Sequence, residues 1–261
     1  MIRRITHRVR PPWKPRHLFL STLPKTGGMY MAKALSRMTG YPLHQVVPTH
    51  FMNEQDLCPQ QMWWLMKPRV LWHHAKANAF NVSVIKQYGL RPIVHVRDIH
   101  DIVLSIDDYT KRDEIRGRSG PQGHVHREFE TMSRDERIDY LIHIQLPWYF
   151  SYLVSWQEAS EQVDVLWTSY EELFSDQLAT FRKILDHSGL SVSDDQMTQA
   201  LASLSGKETN FNKGVSGRAD NVLTIDQRQA IQQLADVWKL DGRFFERIGI
   251  QPHEFAQMES A

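Results

Sequence analysis

The chain has a single cysteine, Cys58, and so cannot form a disulfide within itself. It contains no apolar run near the roughly 18 residues that predict a membrane-spanning helix. It also has no excess of charge, because 31 Lys and Arg residues face 30 Asp and Glu residues and leave a net charge of +1. The sequence therefore does not support a disulfide scaffold, a membrane span or a polybasic surface for nucleic acid. We expect a cytoplasmic chain whose anion-binding site, if it has one, is confined to a few residues.

Length and composition predict one globular domain over residues 1–261. With 41% hydrophobic and 23% charged residues, the chain can build a core, and no repeat or linker divides it. Residues 1–16 are basic, but no apolar stretch of the kind found in signal peptides follows them, so we interpret them as a surface arm. Residues 111–135 are polar and rich in Gly and Arg. They are predicted to form a lid over a binding site or, alternatively, a solvated loop.

Apolar runs of strand length alternate with segments of helical periodicity along most of the chain. The predicted strands are residues 17–22, 69–74, 92–97 and 163–167. The predicted helices are residues 29–38, 62–66, 78–88, 99–110, 136–160, 171–188, 194–205 and 224–240. Such alternation favours an α/β fold, with a central parallel sheet flanked by helices on both faces.

A loop suited to an anion follows the first predicted strand, in the segment Leu23-Pro-Lys-Thr-Gly-Gly-Met-Tyr30. The N–H groups at the start of the following helix point into this loop, and the helix dipole favours a negative charge there. Lys25 precedes the glycines, whereas the lysine of a Walker A loop follows them. A P-loop phosphotransferase is therefore a weaker alternative, and an ordinary tight turn is another.

A second candidate anion site lies at the end of the third predicted strand, in the segment Val96-Arg-Asp-Ile-His-Asp-Ile-Val-Leu-Ser105. Ligands of open α/β sheets bind at the carboxyl ends of the strands. Arg97 can form two parallel hydrogen bonds to a phosphate, and Ser105 can donate one more. The alternative is a local ion pair between Arg97 and Asp98 at the start of the helix.

These motifs together resemble the sulfotransferase family, which uses 3′-phosphoadenosine 5′-phosphosulfate (PAPS) and has a P-loop-like α/β fold. Pro24-Lys-Thr-Gly-Gly resembles the family's 5′-phosphosulfate loop. Arg97, Asp98, Asp101 and Ser105 fall in register with its 3′-phosphate motif. Phe211-Asn-Lys-Gly resembles its C-terminal glycine loop, and Trp167-Thr-Ser-Tyr-Glu-Glu-Leu173 its strand-ending tyrosine segment. The four segments occur in family order between residues 19 and 224.

The resemblance assigns a cofactor-binding role to each matching position. Lys25, Thr26, Gly27 and Gly28 would hold the 5′-phosphosulfate, and Tyr30 would stack on the adenine. The remaining implied contacts to the co-substrate involve Met29, Arg97, Ser105, Tyr170, Asn212, Lys213 and Gly214. Tyr170 has the alternative of a place in the core.

Several positions depart from the family pattern. Met29 stands where the family often has a hydroxyl, Asn212 replaces an arginine, and Arg218 and Ala219 replace an Asp-Trp pair. Arg218 is one possible replacement for the charge lost at Asn212. A nucleotide-binding module with impaired catalysis therefore remains an alternative to an active enzyme.

The resemblance implies a histidine base at the end of the second predicted strand, where His73 and His74 stand together. Side chains alternate along a strand, so the two point to opposite faces. We prefer His74 as the base, beside Lys25 as the catalytic cation, with His73 or a carboxylate as alternatives. Lys76 is a candidate assistant.

The implied reaction needs no metal, and no His, Cys or carboxylate spacing indicates a metal site. We expect the acceptor to be a small molecule or a glycan that offers a hydroxyl. The aromatic residues between 146 and 156 either wall an acceptor pocket or pack in the core.

Overall fold

The structure is a computed structural model that describes residues 16–48, 54–111, 127–204, 216–238 and 240–250. Its centre is a five-stranded sheet in the order β2-β3-β1-β4-β5, and every pairing is parallel. The predicted single-sheet α/β class is therefore confirmed. The strands are β1 Leu18–Thr22, β2 Leu43–His44, β3 Val70–His73, β4 Pro92–Val96 and β5 Leu166–Ser169.

Two strands differ from the prediction. β5 begins at Leu166, three residues later than predicted, because the chain before it is still turning out of a helix through the Val163 N–H bond to the Ala159 carbonyl. Val163 and Val165 pack against the core without pairing, so their apolar character marks burial and not the strand. β2 was not predicted, and its two residues are too few to show an alternating pattern.

Eleven α-helices are found in the described parts of the chain. They are α1 Gly28–Thr39, α2 Pro59–Trp64, α3 Ala79–Tyr88, α4 Ile99–Thr110, α5 Arg134–Tyr140, α6 Leu146–Ala159, α7 Tyr170–Ser175, α8 Gln177–His187, α9 Asp194–Ala202, α10 Ile225–Val237 and α11 Gly242–Phe245.

The two longest predicted helices are each divided. A π-helical turn, Leu141–Gln145, separates α5 from α6. Asp176 interrupts residues 171–188, because it closes α7 in an extended conformation and its carboxylate then accepts the Ala179 N–H of α8 at 3.0 Å. Polar capping thus overrides a continuous apolar periodicity.

The polar stretch predicted as a lid, residues 111–135, is structured at its C-terminal end. Arg127–Glu130 forms a 3₁₀ turn, and Phe129 within it is buried in the core. Ser133 then caps α5 in a reciprocal pair with Glu136. Residues 112–126 lie outside the described residues, so a lid there stays a prediction.

The sheet separates two apolar clusters, as a parallel sheet covered on both faces requires. Phe19, Leu71 and Val94 face the cluster that includes residues of α3, α4 and α6, whereas Leu18, Leu20, Val70 and Ile93 face the cluster of α1 and α8. The aromatic residues Tyr149, Tyr152 and Trp156 are buried in the first cluster, which favours core packing for that segment. Within the described ranges, no helix combines the length and apolarity that crossing a bilayer requires.

Candidate active site

The glycine loop, residues 23–28, joins the carboxyl end of β1 to the start of α1. The Thr26 hydroxyl donates to the Leu23 carbonyl at 2.7 Å and closes the loop on itself. The neighbouring strand β4 holds it from behind, through the Leu23 N–H bond to the His95 carbonyl at 3.0 Å and the His95 ring bond to the Thr26 carbonyl at 3.0 Å. The loop is therefore fixed by its own strand and the next one.

His95 supports the glycine loop as a neutral ring. Its Nε2 must carry the proton, because the Thr26 carbonyl can only accept. Its Nδ1 then accepts from the Thr168 hydroxyl at 2.9 Å. Burial is the main cause that lowers the pKa of His95 to about 4, so the ring is uncharged at neutral pH.

Gly28 is required by close contact. A Cβ at this position would lie 2.4 Å from the Thr22 hydroxyl and 2.9 Å from Trp72 Nε1, distances that no side chain tolerates. Gly27 has a φ of 80° and precedes α1 without a side-chain cap. The first N–H groups of α1 therefore point into the glycine loop, an arrangement that binds anions in many proteins.

Lys25 adds a cationic side chain to the glycine loop. Its Nζ lies 3.8 Å from the centre of the Tyr109 ring, which is on the last turn of α4. An aromatic face attracts the ammonium group without cancelling its charge, as a carboxylate would. Tyr109 was not identified from the sequence, since nothing in the pattern relates the end of α4 to the glycine loop.

An aromatic group borders the loop on the side of α7. Tyr30 and Tyr170 both contact Phe174, with ring centres 5.7 and 4.4 Å apart, and the Tyr30 hydroxyl donates to Gln177 at 2.8 Å. Burial raises the pKa of both tyrosines, so they remain neutral. Met29, in the first turn of α1, supplies no hydroxyl here.

Arg97 is the centre of a second group, the arginine cluster, which consists of Arg97, Asp101, Tyr170 and the backbone of residues 217–219. Its side chain is buried, donates to Asp101 at 3.2 Å and lies over the Tyr170 ring, 4.1 Å from its centre. It also donates to the Lys25 carbonyl at 3.4 Å. The structure thus brings Arg97 and the glycine loop together, as the sequence predicts.

The remaining residues predicted to bind the co-substrate are less completely described. Ser105 lies half-buried on α4, one helical turn beyond Asp101. Asn212, Lys213 and Gly214 lie outside the described residues. Arg218 was considered as a replacement charge, but its guanidinium donates to Asp108 at 2.7 Å.

The two adjacent histidines have different surroundings. His73 is completely buried, stacks on Phe19 at 5.5 Å, and accepts the Val46 N–H at its Nε2 at 2.9 Å. These contacts are those of a structural residue. His74 is half-buried, contacts the edge of Trp72, and lies at the carboxyl edge of the sheet beside the glycine loop.

The contacts of His74 define which ring nitrogen is basic. Its Nδ1 donates to the Thr22 carbonyl at 2.6 Å, so the lone pair is on Nε2. Its backbone N–H donates to Gln55 at 2.7 Å and fixes the residue after β3. Burial and, to a smaller extent, the Lys25 charge lower the pKa of His74 below 6.5, although the bond to Thr22 opposes them. His74 is therefore a neutral ring at neutral pH, with its proton on Nδ1.

Lys76 is held away from this group. Its Nζ forms an ion pair with Glu54 at 2.6 Å, and the same carboxylate accepts the Trp148 N–H at 3.1 Å. Among the residues that the structure describes, no three His, Cys or carboxylate side chains are grouped so that they could hold a metal ion.

The glycine loop and Arg97 lie at the carboxyl ends of the neighbouring strands β1 and β4, where ligands of open α/β sheets bind. A family profile described as a sulfotransferase domain matches residues 15–217, most of the chain. The protein therefore belongs to the sulfotransferase family, and is a transferase. No curated protein sequence matches it.

Solved structures share this fold at low sequence identity. Mouse sulfotransferase SULT7A1 complexed with PAP (adenosine 3′,5′-bisphosphate) has a TM-score of 0.67 at 18% identity, over 92% of this chain and 88% of that one. Retinol dehydratase in complex with retinol and PAP has a TM-score of 0.58 at 12% identity, over 88% and 83%. Sulfotransferase STF1 from Mycobacterium tuberculosis H37Rv has a TM-score of 0.51 at 14% identity, over 84% and 77%.

Proposed function

We propose that this chain transfers a sulfuryl group from PAPS to an acceptor hydroxyl, with His74 as the general base. The observation that carries the proposal is the meeting of three groups at one sheet edge: the glycine loop, Arg97 and the unprotonated Nε2 of His74. When bound, PAPS supplies the sulfuryl group, and its phosphate becomes the leaving group.

The described residues fit the two phosphates of such a donor. We propose that the N–H groups after Gly27 and Gly28, the Lys25 ammonium and Thr26 bind the 5′-phosphosulfate. We propose that Arg97 and Ser105, at the next strand end and on the helix that follows it, bind the 3′-phosphate. We propose Tyr30 and Tyr170, which border the glycine loop, as the residues beside the adenine; Arg97 already lies over the Tyr170 ring. We also propose Met29 as a backbone contact in the first turn of α1, and Asn212, Lys213 and Gly214 as the far side of the 3′-phosphate pocket.

His74 and Lys25 have different roles in the proposed reaction. His74 takes the acceptor proton at Nε2 while Nδ1–H stays bonded to the Thr22 carbonyl, which orients the ring and stabilises its positive charge after the transfer. Lys25 places its charge where negative charge grows on the leaving oxygen. His73 has its Nε2 engaged by the Val46 N–H, which argues against it as the base.

We propose a small-molecule alcohol as the acceptor, with a glycan as the second candidate. Retinol dehydratase, whose structure resembles this one, has been solved in complex with retinol and with androsterone, which are apolar alcohols. The same reaction on this chain requires only that an acceptor hydroxyl reach His74 Nε2.

A binding module with impaired catalysis is a second candidate function. Met29 supplies no hydroxyl to the glycine loop, and Arg218 is paired with Asp108. This candidate predicts binding of the donor without transfer to any acceptor.

Calorimetric titration with PAP tests the donor without knowledge of the acceptor. We expect Lys25→Ala and Arg97→Ala each to weaken PAP binding by roughly 10–100-fold, because each removes a charge-assisted contact. Lys76→Ala is the matched control, since that lysine at the same edge is paired with Glu54. ATP with Mg²⁺ should bind much more weakly than PAP.

Tighter binding of ATP than of PAP, or an affinity for PAP that neither Lys25→Ala nor Arg97→Ala changes, would overturn the proposal. Once PAP binding is established, incubation with radiolabelled PAPS and a panel of alcohols, phenols and sugars separates the two candidates. Labelled product supports the enzyme, and its absence with every acceptor supports the binding module.

A further inference from the structure

Asp101 is a buried carboxylate that joins two distant parts of the chain. It lies in the first turn of α4 and is 1% exposed. One oxygen accepts from Arg97 at 3.2 Å and from the Gly217 N–H at 2.9 Å, and the other accepts from the Ala219 N–H at 3.0 Å. Gly217 is 116 residues further along the chain.

These three donors account for the burial of the charge. A carboxylate without water is stable only when charged or N–H donors replace its hydration. Here one donor is the arginine proposed for the 3′-phosphate, and two are the backbone N–H groups of Gly217 and Ala219. Asp101 therefore holds Arg97 and the backbone of residues 217–219 together.

We propose that Asp101 is a positioning residue for recognition of the 3′-phosphate. Its negative charge would repel a phosphate, so it acts through Arg97 and through the backbone at Gly217 and Ala219, and not by direct contact. This inference rests on the proposed function. Asp101 lies in the segment that resembles the family's 3′-phosphate motif, but that resemblance assigns it no contact of its own. Its contacts to Gly217 and Ala219 span more than a hundred residues and are visible only in the structure.

The substitution Asp101→Asn isolates this role. An asparagine keeps the size of the side chain but brings an NH₂ group to a place where all three partners are donors, so at least one contact becomes a repulsion. The readout is the ratio of the dissociation constants of adenosine 5′-monophosphate and PAP, which measures the contribution of the 3′-phosphate alone. We expect this ratio to fall by roughly 10–100-fold, with little change in the affinity for the monophosphate.

Asp107→Asn is the matched control on the same helix. Asp107 is also buried and pairs with Arg137 at 2.6 Å, away from the arginine cluster. We expect it to lower the melting temperature and to leave the ratio unchanged, so a loss of stability is separable from a loss of positioning. If Asp101→Asn does not fold, Gly217→Ala serves instead, because it strains a residue with a φ of 77° and disturbs only the backbone partner.

The outcomes distinguish this inference from the proposed function. A wild-type protein that binds PAP no better than the monophosphate contradicts the proposed function itself. If the wild type prefers PAP and Asp101→Asn or Gly217→Ala prefers it to the same extent, the inference about Asp101 is wrong, while the proposed function stands. A ratio that falls equally in Asp107→Asn also overturns it, because the effect is then one of general stability.

Discussion

The glycine loop and the arginine cluster lie at the same sheet edge, but they are held by different kinds of contact. The glycine loop is fixed by β1, by α1 and by a neutral histidine on the adjacent strand β4. The arginine cluster depends on an ion pair and on backbone donors from residues 217–219, more than a hundred positions away. The glycine loop is therefore built mostly from segments that are neighbours in the sheet. The arginine cluster is complete only when the C-terminal part of the chain has packed.

This difference explains why the glycine loop could be predicted from the sequence more completely than the arginine cluster. A loop whose glycines, lysine and helix start are consecutive leaves a pattern in the sequence. In a cluster assembled from separate segments, the sequence indicates side chains such as Arg97 and Tyr170. It does not indicate the partners at residues 217–219, because these contribute backbone N–H groups, which every residue except proline has.

The largest expected effect is on the chemistry beside the glycine loop. His74→Ala should lower kcat by roughly 10²–10⁴-fold, the usual contribution of a general base, while PAP binding is nearly unchanged. Because the pKa of His74 is lowered below 6.5, wild-type activity should be lost on acidification only below that pH. Transfer rates measured across pH check both statements.

His73→Asn is the control for that experiment. It should reduce stability, since His73 is a buried structural residue, but the transfer rate should depend on pH as it does in the wild type. If His74→Ala retained full activity at saturating acceptor, the base would be another residue and the assignment wrong.

A smaller expected effect is the loss of folding stability in acid that is linked to His95, which supports the glycine loop. The pKa of His95 is about 4 in the folded chain and near 6.5 when unfolded, so only the unfolded chain takes up this proton between those values. The resulting stabilisation is present above pH 6.5 and is lost as the pH falls toward 4. It amounts to something on the order of 3 kcal/mol at most.

His95→Gln removes this titration and should retain a donor toward the Thr26 carbonyl. We expect the difference in unfolding free energy between wild type and variant to shrink as the pH falls from 7 to 4, measured by urea denaturation. A difference that stays constant would show that protonation of His95 is not linked to folding.

The smallest expected effect concerns the contact between Lys25 and Tyr109. Tyr109→Leu should weaken PAPS binding or slow transfer by about 2–5-fold, because the cation–π contact between Lys25 and the half-buried Tyr109 ring is lost. Tyr109→Phe keeps the ring and should behave as wild type. The affinity for adenosine 3′-monophosphate, which lacks the 5′ group, should not change in either variant, and a change there would contradict the separation of the two sites.

The sequence allowed the parallel sheet, the glycine loop and the opposite orientations of His73 and His74 to be predicted, because each follows from periodicity or from consecutive residues. It did not reveal Tyr109, His95 or the role of Asp101, whose partners come from other segments. It also misplaced the start of β5, since Val163 and Val165 pack partly buried against the core without being strand residues. Burial and strand pairing coincide often, and where they separate, composition follows burial.

The backbone of Lys25 has a further consequence. Its φ of 70° lies in the left-handed region, and it is the only residue other than glycine found there in the described parts of the chain. A side chain in this conformation costs about 1 kcal/mol relative to glycine. Selection for thermal stability alone would therefore favour Lys25→Gly, the substitution that removes the proposed catalytic cation. The proposed catalytic role of Lys25 would therefore carry a small cost in stability that a glycine at this position would not have.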